Sequence, residues 1–155
     1  MKLISLTKGG FAKVDDADYE WLSQLKWTYD SDGYVIRYAR SNGKRRMMWM
    51  HRLVANTPDG MQTDHKDRNK FNNQRDNLRP CTCSQNQMNA DIRTDNTSGF
   101  RGVSWHKPKA KWRAQIRANG KKRQIGLFDT AEEAALAYDD AARKLHGDFV
   151  NLNFQ

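Results

Sequence analysis

The sequence predicts an α+β protein built of two small modules, and three observations carry that prediction. Strand-like runs bounded by Gly-containing turns are followed in each half by a helical pattern, which favours antiparallel hairpins packed on single helices. A polar break, R-T-D-N-T-S-G, separates the halves after Asp91. The second half then holds three strand-like runs and one long helical segment, enough for a sheet with its own cover. A length of 155 residues is compatible with one domain or two. The pattern selects two: residues 1–92, a linker at 93–98, and residues 99–155.

Charge narrows the partners. Lys+Arg 27 against Asp+Glu 18 gives a net charge of +9, which favours a polyanion, nucleic acid ahead of a membrane surface. The chain offers no long apolar run for a bilayer, and M-K-L-I-S-L-T-K-G-G lacks the apolar core and cleavage site of a secretory signal, so an intracellular protein is expected. Cys81 and Cys83 are too close together for a useful disulfide and lack the second ligand pair of a structural zinc site. They read as small strand residues beside the central loop.

In chain order, I-S-L-T and F-A-K-V form a hairpin across Lys8-Gly9-Gly10. Asp15 or Asp16 then caps a helix that places Tyr19, Leu22 and Leu25 on one face. W-T-Y-D and Y-V-I-R-Y-A-R read as strands joined through Ser31-Asp32-Gly33, and a turn at Ser41-Asn42-Gly43 leads into K-R-R-M-M-W-M-H-R-L-V, read as a third strand. Tyr34, Ile36 and Tyr38 alternate with Val35, Arg37 and Ala39, giving an apolar face and one that carries arginine. Arg37, Arg40, Lys44, Arg45 and Arg46 form a basic cluster. It is either a solvated surface or a phosphate contact, and the overall charge favours contact.

The centre of the first half runs from Thr63 to Asn86. Asp64 stands beside His65, Asn77 follows twelve residues after the histidine, and Asn86 nine residues later. These are the parts of a one-metal phosphodiesterase: a histidine to accept a proton from water, and a carboxylate with an amide oxygen beside it for a divalent cation. M-Q-T-D-H reads as a strand, N-K-F-N-N-Q-R-D-N as a loop, L-R-P-C-T as a second strand, and S-Q-N-Q-M-N-A-D-I as a helix capped by Ser84.

The motifs T-D-H-K-D-R-N, N-x-x-D-N-L-R and S-Q-N-x-x-N, with the M-H-R-L-V lead-in, resemble the HNH endonucleases of the phage and intron homing type. The resemblance spans about residues 1–92 and implies a β-β-α-metal module preceded by antiparallel strands. It implies His65 as general base, Asp64 and Asn86 as ligands of one Mg²⁺ or Mn²⁺, and Asn77 as the residue that braces the loop. Many members carry histidine at the third position; Asn86 is a harder ligand, suited to magnesium or manganese. The resemblance also implies a bacterial or phage-infected host cytoplasm. His51 either helps to position a phosphate or is a structural histidine, and Arg37 and Arg45 are the other candidate phosphate contacts.

In the second half, F-R-G-V-S-W, K-W-R-A-Q-I-R-A and K-R-Q-I-G-L-F are strand-like, with turns at Lys107-Pro108-Lys109-Ala110 and Asn119-Gly120. Lys111, Arg113, Gln115 and Arg117 alternate with Trp112, Ala114 and Ile116, so one face is basic and the other apolar. Thr130 and Glu133 make a capping box for the helix that covers the apolar face, with Ala134, Ala137, Tyr138, Ala141 and Leu145 as its stripe and Gly147 at its end.

The residues S-G-F-R-G-V-S-W, K-W-R-A-Q-I-R, I-G-L-F-D-T-A-E-E-A-A-L-A-Y-D-D-A-A and N-L-N-F resemble the Apetala-two / ethylene-response-factor DNA-binding domain. That resemblance implies a three-stranded antiparallel sheet on one C-terminal helix, its exposed face in the major groove of double-stranded DNA. By position the contacts are Arg101, Ser104, His106, Lys111, Arg113, Gln115, Arg117, Lys122 and Gln124. Ser104 and His106 stand where plant members usually carry arginine, and Gln124 where they carry tryptophan, so the plant GC-rich target does not transfer.

Taken together, the expectation is a metal-dependent, site-directed DNA endonuclease of homing type that uses Mg²⁺ or Mn²⁺ and acts on double-stranded DNA, with no membrane association and no obligate protein partner evident. A non-catalytic, sequence-specific DNA-binding regulator is the main alternative. An RNA-directed nuclease and a restriction or packaging nuclease are the others.

Overall fold

Gly9 and Gly10, both at positive φ, turn the first hairpin, in which β1 (Lys2–Ser5) pairs antiparallel with β2 (Phe11–Val14). The computed structural model describes residues 1–118 and 120–154, with Ser41 described by its backbone alone, and separates into two units, Met1–Gln87 and Met88–Gln155.

In the first unit, Ile4, Ala12 and Val14 turn inward from the hairpin. Helix α1 (Asp16–Ser23) follows, and its Leu22 is fully buried. Burying such a side chain contributes about 1.5–3 kcal/mol. Leu25 lies beyond the helix end rather than on its face, but still packs on the core. Asp15 occupies the N-cap position, yet its carboxylate does not cap. It accepts instead from Gln74 Nε2 (2.9 Å) and Arg75 N (2.8 Å), tying the helix start to the central loop.

Next come β3 (Thr28–Tyr29), β4 (Val35–Ser41) and β5 (Lys44–Trp49), an antiparallel sheet in that order. The expected two-faced β4 holds only in part. Val35 and Ile36 are both buried, because both faces of the strand are covered at its start, whereas Tyr38 is exposed at its far end. The strand expected through Leu53 also stops early, and Met50–Val54 form helix α2. Met50, His51 and Val54 are buried at positions i, i+1 and i+4, a pattern that one side of a helix gathers and strand alternation does not.

The central hairpin is β6 (Gln62–His65) with β7 (Leu78–Cys81), followed by α3 (Cys83–Asn89). Thr82, not Ser84, caps α3. Its Oγ1 accepts from Gln85 N (3.2 Å), and Gln85 Oε1 accepts from Thr82 N (2.9 Å), a reciprocal box that outcompetes a serine one residue inside the helix.

In the second unit, β8 (Val103–His106), β9 (Lys111–Ala118) and β10 (Lys121–Phe128) form an antiparallel sheet in the order β10-β9-β8. The turn through Lys107–Lys109 ends on Ala110 in the left-handed region. The expected Asn119-Gly120 turn includes Asn119, which lies outside the described residues. Helix α4 (Ala131–His146) has the Thr130–Glu133 capping box and stops at Gly147. Its buried stripe is Ala131, Ala134, Ala135, Tyr138 and Ala142, not the expected one ending at Leu145, which is exposed. The end of that core is filled by Val150 and Leu152 instead. They are held there because Asp139, itself buried, accepts hydrogen bonds from Asn153 N and Phe154 N.

Candidate active site and nucleic-acid interface

The β6–β7 register sets Asp64 opposite Arg79 and His65 opposite Leu78. Asp64 is buried, and Arg79 donates to its Oδ2 from Nε (2.9 Å) and Nη2 (2.7 Å). The loop between the strands closes on itself. Lys66 N donates to Asn77 O (2.9 Å), and Asn77 Oδ1 accepts from Asp67 N (3.0 Å). Asn77 Nδ2 donates to Asp67 Oδ1 and to Asn72 O, both at 2.8 Å. Burial alone would raise the Asp67 carboxyl, but hydrogen bonds from Asn72, Asn69 and Asn77 outweigh it and hold Asp67 below its ordinary range. The outer side of the loop is pinned to β2, where Lys13 N donates to Phe71 O and Asn73 N to Lys13 O, both at 2.8 Å. Arg75 is held on buried Asp18 at 2.6 Å.

His65 is 4% exposed. Burial pushes its imidazole below the usual value, and a hydrogen bond with Asn73 and the charges of Asp67 and Asp64 pull it partly back. Its ring lies edge-on to His51 at 5.1 Å between centroids, and Tyr34 completes the cluster at 6.2 Å from His65. His51, 6% exposed, is pushed down to about 3, by burial first and by His65 second. Both imidazoles are therefore neutral at pH 7, the form in which a histidine accepts a proton.

Asn86, on α3, donates from Nδ2 to Gln62 Oε1 at 2.8 Å. Gln62 stands two residues before Asp64 on β6 and so on the same strand face. A cleft of about 300 Å³ opens here, lined by Tyr34, Trp49, His51, Gln62, Thr63 and Asn86. Among the described residues no group of three or more His, Cys, Asp or Glu could hold a metal. A cation site built on Asp64 and Asn86 would combine one carboxylate with one amide oxygen. With the Asn86 NH₂ engaged by Gln62, the oxygen donors of Asp64 and Asn86 suit a hard divalent cation rather than zinc.

The other first-unit candidates have different surroundings. Arg45 is exposed, its guanidinium 3.6 Å from the centroid of the Tyr38 ring. Arg37 is half-buried and its Nε meets no hydrogen-bond partner among the described residues; the same is true of His51 Nδ1.

The second unit presents the expected face. Register pairs Ser104 with Arg113, His106 with Lys111, Gln115 with Gln124, and Arg117 with Lys122, so all eight side chains share one side of the sheet. Arg117, Lys122 and Gln124 are exposed and the other five half-buried. Arg113 Nη2 donates to Ser104 Oγ at 3.2 Å. Arg101 stands apart from this row, donating to the Ala90 carbonyl and lying against Tyr138.

Both halves of the chain resemble known proteins. The chain is 32% identical over 157 residues to "Uncharacterized HNH endonuclease L560" of Acanthamoeba polyphaga mimivirus, covering 97% of this chain and 79% of that protein. The chain belongs to the HNH endonuclease family. Within this HNH endonuclease the family model itself, "HNH endonuclease", matches residues 46–88, and the model "AP2 domain" matches residues 98–148. "Protein 3.8" of Escherichia phage T7 is 38% identical over 95 residues, 61% of this chain and 78% of that protein. "Ethylene-responsive transcription factor ERF084" of Arabidopsis thaliana is 52% identical over 60 residues, 37% of this chain but 23% of that protein. A solved structure titled "DNA binding and cleavage by the HNH homing endonuclease I-HmuI" overlaps 86% of this chain and 70% of its own, at 22% identity and a TM-score of 0.39.

Sequence reasoning missed three residues at the HNH endonuclease site. Arg79 lies inside the quoted N-L-R motif, but its role needs the strand register, which puts it across from Asp64. Gln62 was findable from alternation, since residues two apart on a strand share a face. Tyr34 lies outside every motif, and only the fold brings its ring to His51. Among the described residues no helix is long and apolar enough to cross a membrane.

Proposed function

We propose that the chain cuts double-stranded DNA by metal-assisted hydrolysis, with its chemistry in the first unit and its target recognition in the second. It is a DNA endonuclease, and a divalent metal goes with that family. The finer reading is one Mg²⁺ or Mn²⁺ held by Asp64 and Asn86. One observation carries it: a single hairpin and the helix after it hold Asp64, His65 and Asn86, while Asn77 fastens the loop between the strands. When bound, the cation supplies charge stabilisation for the phosphoryl and leaving oxygens.

The chain's own residues then account for the rest. His65, neutral and buried, takes a proton from the attacking water. Arg79 fixes the Asp64 carboxylate across the hairpin, and Asn77 keeps the loop from opening. His51, Arg37 and Arg45 are candidate contacts to the bound backbone. The AP2 face reads and holds DNA through Arg101, Ser104, His106, Lys111, Arg113, Gln115, Arg117, Lys122 and Gln124. Arg is able to bind guanine and Gln adenine bidentately, and most contacts of such faces go to phosphate and sugar. We take the functional boundaries as 1–92 and 99–155 with residues 93–98 between them, and the enzyme as site-directed, of homing type.

Nicking of supercoiled plasmid by the wild type and His65→Ala, each with Mg²⁺ and with EDTA, tests this reading. Cutting by the wild type only, and only with metal, supports it. Equal cutting by both proteins removes His65 from the reaction, and no cutting by either favours a DNA-binding regulator.

A further inference from the structure

An asparagine ligand has two nearly isosteric ends, and a hard cation takes only the oxygen. Rotation about χ2 exchanges the ends at little cost, so a free Asn86 would spend part of its time with NH₂ toward the cation. In the structure a neighbouring acceptor favours one of the two ends. Gln62 Oε1 accepts from Asn86 Nδ2 at 2.8 Å, and with the Gln62 amide as it stands the flipped Asn86 would set two carbonyl oxygens face to face. Asn86 Oδ1 accepts no hydrogen bond among the described residues, so the end left over is the ligating one. Gln62 is exposed and belongs to no part of the hydrophobic core, so packing does not account for it. It shares a strand face with Asp64, so the residue that orients one ligand stands two positions from the other on the same strand.

We propose that Gln62 is a positioning residue for the metal site: its carbonyl holds the Asn86 NH₂ and so turns the Asn86 oxygen to the cation. This rests on the reading of Asn86 as a ligand. Removal of such an outer partner typically weakens metal binding about 10–100-fold. Glutamate in its place keeps an acceptor; leucine does not.

The test is binding of Mn²⁺ alone to the full chain, read by electron paramagnetic resonance as loss of the free-ion signal, for the wild type, Gln62→Leu, Gln62→Glu, Asn86→Ala and the double variant Gln62→Leu/Asn86→Ala. Circular dichroism checks that each remains folded, which the exposure of Gln62 favours. The proposal expects Gln62→Leu to weaken binding by about tenfold or more and Gln62→Glu to bind at least as well as within a few-fold of wild type. The double variant should bind no worse than Asn86→Ala, because Gln62 acts through Asn86. If Asn86→Ala weakens binding and Gln62→Leu does not, the inference fails and the ligand reading stands. If Gln62→Leu weakens binding further in the Asn86→Ala background, Gln62 acts on the cation independently and the inference fails. Unchanged binding in Asn86→Ala, or no binding by the wild type up to millimolar Mn²⁺, overturns the ligand reading and the inference with it.

Discussion

The two units solve opposite problems with polar residues. In the nuclease unit Asp64, His65 and His51 are each at most 6% exposed and locked by neighbours. On the AP2 sheet Arg117, Lys122 and Gln124 are exposed on the face opposite the one that packs on α4. Hydrolysis needs a neutral base and a carboxylate at fixed positions; burial keeps the imidazole neutral, and the Arg79 ion pair holds the carboxylate. Reading a groove needs long side chains that reach outward and adapt. Substitutions in the first unit should therefore act on rate and folding, and those on the sheet face on affinity alone.

The sharpest break should come at the proposed base. His65→Ala is expected to slow nicking by about 10²–10⁴-fold while DNA retention in a gel-shift assay stays at wild-type level; a comparable loss of retention would mean that the site binds rather than cuts. Next is a position where the AP2 unit has no latitude. Gly102 has φ +72°, and a Cβ there would lie 2.2 Å from the Tyr138 ring and 2.7 Å from the Gln115 carbonyl. Gly102→Ala should destabilise that unit by about 3 kcal/mol. In a thermal melt the transition of that unit should drop while Mg²⁺-dependent nicking of non-specific plasmid survives.

A smaller effect follows from His51. Its folded value of about 3 lies below the ordinary 6.5, so the unfolded chain binds the proton first as pH falls. The contribution is present in full above pH 6.5 and is lost toward pH 3, at up to about 1.4 kcal/mol per pH unit. His51→Phe, which keeps a ring against Tyr34 and His65, should flatten the fall in melting temperature between pH 6.5 and 4. An identical slope in both proteins would show that His51 does not carry the acid sensitivity. Smallest is Arg117→Ala, expected to lower affinity by less than about tenfold and the slope of log K against log salt by about 1, with no change in melting temperature.

Periodicity makes the second unit readable: alternation along Lys111–Arg117 marks the sheet and the Thr130–Glu133 box marks the helix. What escaped was the C-terminal segment, because the Leu145 stripe competes with Val150 and Leu152 for the same core, and Asp139 decides between them. In the first unit the motif spacing singled out Asp64, His65, Asn77 and Asn86. The residues that hold them did not announce themselves. Asp15 looked like a cap and is an anchor for the loop, and the M-H-R-L-V stretch looked like a strand because Trp49 and Met50 continue its apolar run. Supporting contacts depend on register and on chain segments far apart in sequence, which local patterning does not encode.

The division of labour itself is tested most directly by sequencing the ends that the enzyme leaves on a randomised DNA pool with Mg²⁺, for the wild type and for a variant with Arg113, Gln115 and Gln124 all replaced by alanine. The account predicts a narrow set of cut sites for the wild type and a broad set for the variant, with cutting in both abolished by His65→Ala. The same narrow set from both proteins would contradict it, placing recognition in the nuclease unit instead of the sheet.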